Sequence, residues 1–169
     1  MSNYLEFPQR NRKYAATFDK GGLPLPPAKQ FIVVTCIDAR VEPASQLGIE
    51  LGDAHVIRNA GGCAKDAIRS IIISQRLLGT REIAIFHHTG CGMLTFTTDH
   101  LRRIVKEADP GNTAIAQAVD QIHFLEFSDL EKSVKDDVEF LKEHPLVLKD
   151  TIVTGWIYHV ETGKVSQIV

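Results

Sequence analysis

The sequence predicts a single α/β domain built on a mostly parallel central sheet flanked by helices. Three observations carry that expectation. Short runs of apolar and β-branched residues, Phe31-Ile32-Val33-Val34-Thr35 above all, have the composition of strands buried on both faces, as parallel sheets require. Stretches with apolar residues at helical spacing separate these runs, and such alternation builds strand-helix-strand units. The length of 169 residues suits one domain, which can remove roughly 70% of its extended-chain surface from water without disulfide staples.

Residues 1–27 form an arm and linker ahead of an α/β core over 28–169. Asn3 to Phe18 is polar with scattered aromatics (Tyr4, Phe7, Tyr14, Phe18), and Gly21-Gly22-Leu23-Pro24-Leu25-Pro26-Pro27 marks a linker. The first strand is Phe31 to Cys36. A second, weaker strand runs from Ala54 to Arg58 and closes on Asn59-Ala60-Gly61-Gly62, where two glycines permit positive φ or a close backbone approach. Ala64, Ala67, Ile68, Ile71, Ile72 and Leu78 then recur at helical spacing, with Gly79 placed to end the helix. Ile83 to His87 is the third strand. Helical spacing follows over Thr98 to Glu107, Thr113 to Leu125 and Ser128 to Glu143, the last opening with the capping pattern Ser128-Asp129-Leu130-Glu131 and stopping at His144-Pro145. Ile152 to Val160 is the fourth strand, and Glu161-Thr162-Gly163-Lys164 turns into a short final strand, Val165 to Val169.

Composition narrows the function. Nineteen Lys and Arg against twenty-one Asp and Glu leave a net charge of −2 with no clustering, so neither a nucleic-acid footprint nor a polybasic membrane patch is expected. The N-terminus lacks the apolar core of a signal peptide, and no apolar run approaches the ~20 residues of a membrane span, which makes the cytosol the expected location. Three cysteines in such a chain suit reduced thiols, metal binding or catalysis better than a disulfide framework.

In open α/β sheets ligands bind beyond the carboxyl ends of the strands, where the connections diverge. Cys36 ends the first strand, and His88 and Cys91 lie just past the third, so all three can meet at one rim. Two thiolates and one imidazole are a common zinc set, with a fourth position left for water or substrate. His88-Thr89-Gly90-Cys91-Gly92 puts two ligands on one tight turn whose glycines remove obstructing side chains. Asp38 and Arg40 follow the first thiolate at a range that allows a bidentate pair. Each residue also has a plainer reading: a buried Cys as a small apolar group, Asp38 as a helix cap, Arg40 as a surface charge. A Cys36 to Cys91 disulfide is conceivable but disfavoured in a reducing compartment. Cys63 reads as an unliganded thiol beside the site. His55, His100, His123, His144 and His159 lack comparable partners.

Cys-x-Asp-x-Arg at the end of one strand, followed some fifty residues later by His-x-x-Cys, resembles the β-class carbonic anhydrases. Arg58-Asn59-Ala60-Gly61, Ser74-Gln75-Arg76-Leu77-Leu78-Gly79-Thr80-Arg81-Glu82 and His87-His88-Thr89-x-Cys91-Gly92-Met93 extend the likeness to the short-chain branch of that family, which also contains carbonyl sulfide and carbon disulfide hydrolases. The resemblance implies that Cys36, His88 and Cys91 bind Zn2+ and that Asp38 and Arg40 form a gating dyad, with Asp38 a fourth ligand if the site closes. It implies hydration of carbon dioxide to bicarbonate by a zinc-bound hydroxide, with carbonyl sulfide hydrolysis as the alternative. It further implies a homodimer or a tetramer of dimers, in which an N-terminal helical arm lies across the partner. Position 90 departs from the branch, being Gly where Asp is common. Asn59, Ala60, Gly61 and Gly62 are the candidate wall of the small apolar pocket that a gaseous substrate needs. Two other classes remain: a zinc module with a permanently closed, non-catalytic site, and a metal-free cysteine enzyme using Cys36 and His88.

Overall fold

The computed structural model describes residues 2–169. After a 3-10 turn at Asn3–Glu6, helix α1 (Phe7–Ala15) and the linker lead to β1 (Phe31–Cys36). The core continues with α2 (Pro43–Leu47), β2 (Ala54–Asn59), α3 (Ala64–Leu78) and β3 (Glu82–His88), then α4 (Thr98–Ala108), α5 (Thr113–Asp120), α6 (Leu130–Glu143), β4 (Ile152–His159) and β5 (Lys164–Gln167). The sheet order is β2-β1-β3-β4-β5. The first four strands are parallel, and β5 runs antiparallel to β4 as an edge strand.

Alternation along β1 and β3 builds two cores. Ile32, Val34, Ile83 and Ile85 face α3 and α6, where they meet Ala67, Ile71, Val138 and Leu141. Val33, Ala84 and Phe86 face the other side, against Leu47, Ile49 and Trp156, with Phe86 stacked on Trp156 at 5.8 Å between ring centroids. Strand β1 is therefore buried on both faces, as its uninterrupted apolar run predicts. Gly155 of β4 lets α6 lie close: a Cβ there would stand 2.5 Å from Val134 Cγ1 and 3.0 Å from Val138 Cγ2.

Three elements differ from expectation. The helix expected to run to Leu125 stops at Asp120, where Arg102 Nη2 donates to the Asp120 and Ile122 carbonyls at 3.1 and 3.0 Å; beyond it Leu125 adopts a left-handed φ of 58° and the Phe127 N–H bonds the Met93 carbonyl. Helix α6 opens after Asp129 rather than Ser128: the Asp129 carboxylate accepts the Lys132 N–H at 2.8 Å and becomes the cap. Helix α2 was not anticipated. Its five residues start on a proline and end at left-handed Gly48, too short a span for a periodic signal. Strand bounds move by a residue or two, chiefly β5, which ends at Gln167 instead of Val169. Among the described residues no helix is long and apolar enough to cross a membrane.

Candidate metal centre

The chain leaves β1 toward β2 on one side and returns to β3 on the other, so the connections diverge between the carboxyl ends of β1 and β3. Cys36 is the last residue of β1 and His88 the last of β3. Cys91 follows on the tight turn through Gly90, whose φ is 62°. The three side chains are buried, and their ligating atoms lie within 4.8 Å of one another. All three cysteines of the chain are free thiols, and Cys36 Sγ and Cys91 Sγ are 4.0 Å apart.

Local bonding prepares this group for a metal. The His88 ring places Nδ1 3.0 Å from the Thr89 carbonyl, which fixes the proton on Nδ1 and leaves the Nε2 lone pair free. Nε2 is buried and has no hydrogen-bond partner; a buried polar atom left bare costs free energy unless something accepts it. Cys36 Sγ accepts the N–H groups of Asp38 and Gly61, each at 3.4 Å. The shared hydrogen bond to Cys91, helped by His88 and then by those two donors, pulls the Cys36 pKa down against the opposing effect of burial. The same shared bond, reinforced by burial, holds Cys91 as the protonated partner. Burial works against a charge on His88, yet its contacts with Cys36 and the Thr89 carbonyl outweigh it and the net shift is upward. Two sulfurs and an unpartnered imidazole nitrogen fit Zn2+, which displaces the remaining protons on binding.

Asp38 and Arg40 flank this group as a forked pair. Asp38 Oδ1 accepts the Arg40 backbone N–H and Nε, both at 2.9 Å, and Oδ2 accepts Nη2 at 2.7 Å. Arg40 Nη2 also donates to the Gly90 carbonyl at 2.9 Å, tying the loop after β1 to the loop after β3. These bonds hold the Asp38 carboxyl well below the usual carboxylate range. Oδ2 stands 3.8 Å from His88 Nε2, beside the ligand group while still engaged by Arg40.

The segment Asn59-Ala60-Gly61-Gly62 lies against the same group. Asn59 clamps the turn through both its amide atoms, Oδ1 to the Cys63 N–H at 2.7 Å and Nδ2 to the Cys63 carbonyl at 2.9 Å. Gly62, at φ 72°, has no side chain because a Cβ there would meet the backbone of Thr35 at 2.9 Å. Cys63 caps α3 outside the ligand set; burial, then the Asp137 and Asp66 carboxylates, push its thiol up to about 12. A groove of about 500 Å3 opens on the α6 side, lined by Cys63, His87, Phe127 and Asp137 among others.

Two contributors stood in the sequence only within the family-like segments, with no role of their own. Arg58 donates from Nε to the Cys36 carbonyl at 3.0 Å and from Nη2 to the Asp38 carbonyl at 2.9 Å, bracing the backbone that carries both. His87 is buried, with Nδ1 2.7 Å from Ser133 Oγ and Nε2 3.2 Å from Asp137 Oδ2. Asp137 Oδ2 also accepts the Ala64 N–H at 2.9 Å, so His87 joins β3 to the start of α3 and to α6. Its place in an alternating buried strand next to His88 was the available signal. His55 and His159 bond to serines instead, Ser74 and Ser166.

Comparison with known proteins agrees with this geometry. The carbonic anhydrase family model matches residues 31–165. The chain is 43% identical over 159 residues to beta-carbonic anhydrase 1 of Mycobacterium tuberculosis, covering 94% of this chain and 93% of the relative. It is 36% identical over 177 residues to a carbon disulfide hydrolase of Acidianus sp., covering 94% and 85%. Among solved structures, a carbonic anhydrase from Glaciozyma antarctica superposes with a TM-score of 0.91 at 52% identity, covering 96% of this chain and 95% of that one.

Proposed function

The chain belongs to the β-carbonic anhydrase family, and from that premise we propose that it catalyses the reversible hydration of carbon dioxide to bicarbonate and a proton. The observation that carries the reading is the buried Cys36, His88 and Cys91 group with its bare imidazole nitrogen, set beside a carboxylate held by an arginine. We assign Cys36, His88 and Cys91 as the zinc ligands. Zinc held by these donors supplies the Lewis acidity that makes water a nucleophile near neutral pH.

Two thiolates and a neutral imidazole offset the charge of the metal, so the surrounding residues have to orient the reactants. Asp38, ionised because Arg40 stabilises its anion, accepts a hydrogen bond from the attacking water and turns its lone pair toward the substrate carbon. Arg40 keeps Asp38 in that role by occupying both its oxygens; without Arg40 the same carboxylate would be available as a fourth metal ligand. Asn59, Ala60, Gly61 and Gly62 form part of the pocket wall, a reading supported by the Gly61 N–H lying 3.4 Å from Cys36 Sγ. Free thiols suit a cytosolic, reducing compartment.

A second reading uses the same residues on a C=S bond, converting carbonyl sulfide and water to hydrogen sulfide and carbon dioxide. The carbon disulfide hydrolase relative favours it. A paired assay on one zinc-quantified preparation separates the two: the second-order rate constant for carbon dioxide hydration beside that for sulfide release from carbonyl sulfide. Dominant hydration is the expected result. Efficient sulfide release with feeble hydration would reassign the enzyme to carbonyl sulfide.

We further propose a single functional unit in which residues 28–169 form the core and residues 1–27 an arm that reaches a second copy. The arm leaves Tyr4, Leu5, Phe7, Tyr14 and Phe18 exposed, an apolar surface that a partner chain would cover.

A further inference from the structure

Thr89 separates the ligand His88 from the turn that carries Cys91, and all of its polar groups are engaged. Its N–H donates to the Tyr158 carbonyl at 3.0 Å, and its carbonyl faces His88 Nδ1 at 3.0 Å. Its hydroxyl donates to Glu161 Oε2 at 2.7 Å and accepts the Val160 N–H at 3.0 Å. The last two partners lie on the turn between β4 and β5. That turn is itself closed by the Thr162 and Gly163 N–H groups on the His159 carbonyl, at 3.1 and 2.8 Å, so Glu161 is delivered from a fixed backbone. Its charge also acts on the Arg40 guanidinium, which bonds the Gly90 carbonyl one residue beyond Thr89. One carboxylate from the antiparallel edge thus bears on both sides of the ligand loop.

We propose that Glu161 is a positioning residue for His88, acting through Thr89: its hydrogen bond to the Thr89 hydroxyl fixes the peptide whose carbonyl aims the imidazole. The inference rests on the assignment of His88 as a zinc ligand. A ligating histidine is oriented by the partner of its second nitrogen, and here that partner is a main-chain carbonyl. A carbonyl is only as well placed as its own residue, and Thr89 is held from β4 and the turn that follows. Nothing in the reaction requires a hydrogen-bond acceptor at position 161; the Thr89 hydroxyl does.

The test follows zinc rather than turnover. Wild type, Glu161→Ala and Glu161→Gln are loaded to one zinc per chain, and metal loss into excess chelator is followed with a zinc-sensitive dye. Glu161→Ala should lose zinc about tenfold faster, at the low end of what outer-shell partners contribute. Glu161→Gln should stay near wild type, because its amide oxygen accepts the same hydroxyl. Thr89→Val, which also removes the acceptor of the Val160 N–H, should lose zinc at least as fast as Glu161→Ala, and adding Glu161→Ala to it should cause no further loss, as expected for two members of one chain of contacts. Zinc loss from Glu161→Ala at the wild-type rate, or from Glu161→Gln as fast as from Glu161→Ala, would overturn the proposal. A preparation that holds zinc in this pattern but turns over neither gas would sink the proposed reaction and leave the role of Glu161 standing.

Discussion

Asp38 is the residue on which turnover should depend most directly, because it stands beside the ligand group without belonging to it. Its pKa is depressed in the folded chain, so the stability it contributes is present above the ordinary carboxylate value of about 4 and fades as pH falls below it. Across the neutral range Asp38 is therefore ionised, and acid loss of activity should come from protonation of the metal ligands instead. Asp38→Asn and Arg40→Ala should retain zinc and lose turnover by about 100-fold, the upper range for partners just outside the metal's own ligands. Raising the pH should not restore Asp38→Asn, since an amide offers no anion to recover. Stopped-flow hydration on zinc-quantified variants checks this; a wild-type rate in either would remove the pair from the mechanism. Cys36, His88, Cys91, Asp38 and Arg40 were legible in the sequence because thiols, imidazole and a forked ion pair are rare chemical types at defined spacing. Arg58 and Glu161 were not, because they act on main-chain carbonyls and a threonine hydroxyl, contacts that leave no pattern of residue types.

Among the elements, the strands and α3 could be read because burial on both faces and a long amphipathic stripe leave strong periodicities. Helix α2 and the end of α5 could not: five residues are too few for a period, and the left-handed Leu125 answers to a tertiary demand, the placing of Phe127 against Cys36, Cys91 and Met93. The contact of α6 with β4 depends on one missing side chain. At Gly155 a methyl group would press into Val134 and Val138, β-branched residues with little rotamer freedom, so the helix has to move as a whole. Gly155→Ala should destabilise the fold by about 2 kcal/mol, within the usual cost of overpacking. Thermal unfolding would show this as a melting point lower by roughly 4–8 °C for a chain of this size. An unchanged melting point would mean that α6 floats on the sheet rather than packing against it.

At the scale of the whole molecule, the strand order sets where chemistry can happen. Cys36 and His88 meet because their strands are neighbours whose connections leave in opposite directions, an arrangement foreseeable from the alternation of strands and helices. From its residues alone the arm was legible as a polar stretch with unplaced aromatics, and the family resemblance implied that it is helical; its helix, α1, buries no residue on its own chain. A dimer held by that arm should become a monomer by light scattering at micromolar concentration when residues 2–18 are deleted, while the core keeps its melting transition. A full-length monomer at the same concentration would defeat the dimer.

If the group at the ends of β1 and β3 is a zinc site that hydrates a linear, uncharged substrate, turnover has to follow the metal. The paired gas assay on one preparation in three states, zinc-loaded, stripped by chelator and reloaded, measures this dependence. One zinc per chain is expected, with carbon dioxide hydration that dominates sulfide release, loss of both on stripping and return on reloading. Full zinc occupancy with no turnover on either gas, or turnover that survives complete removal of zinc, would contradict it.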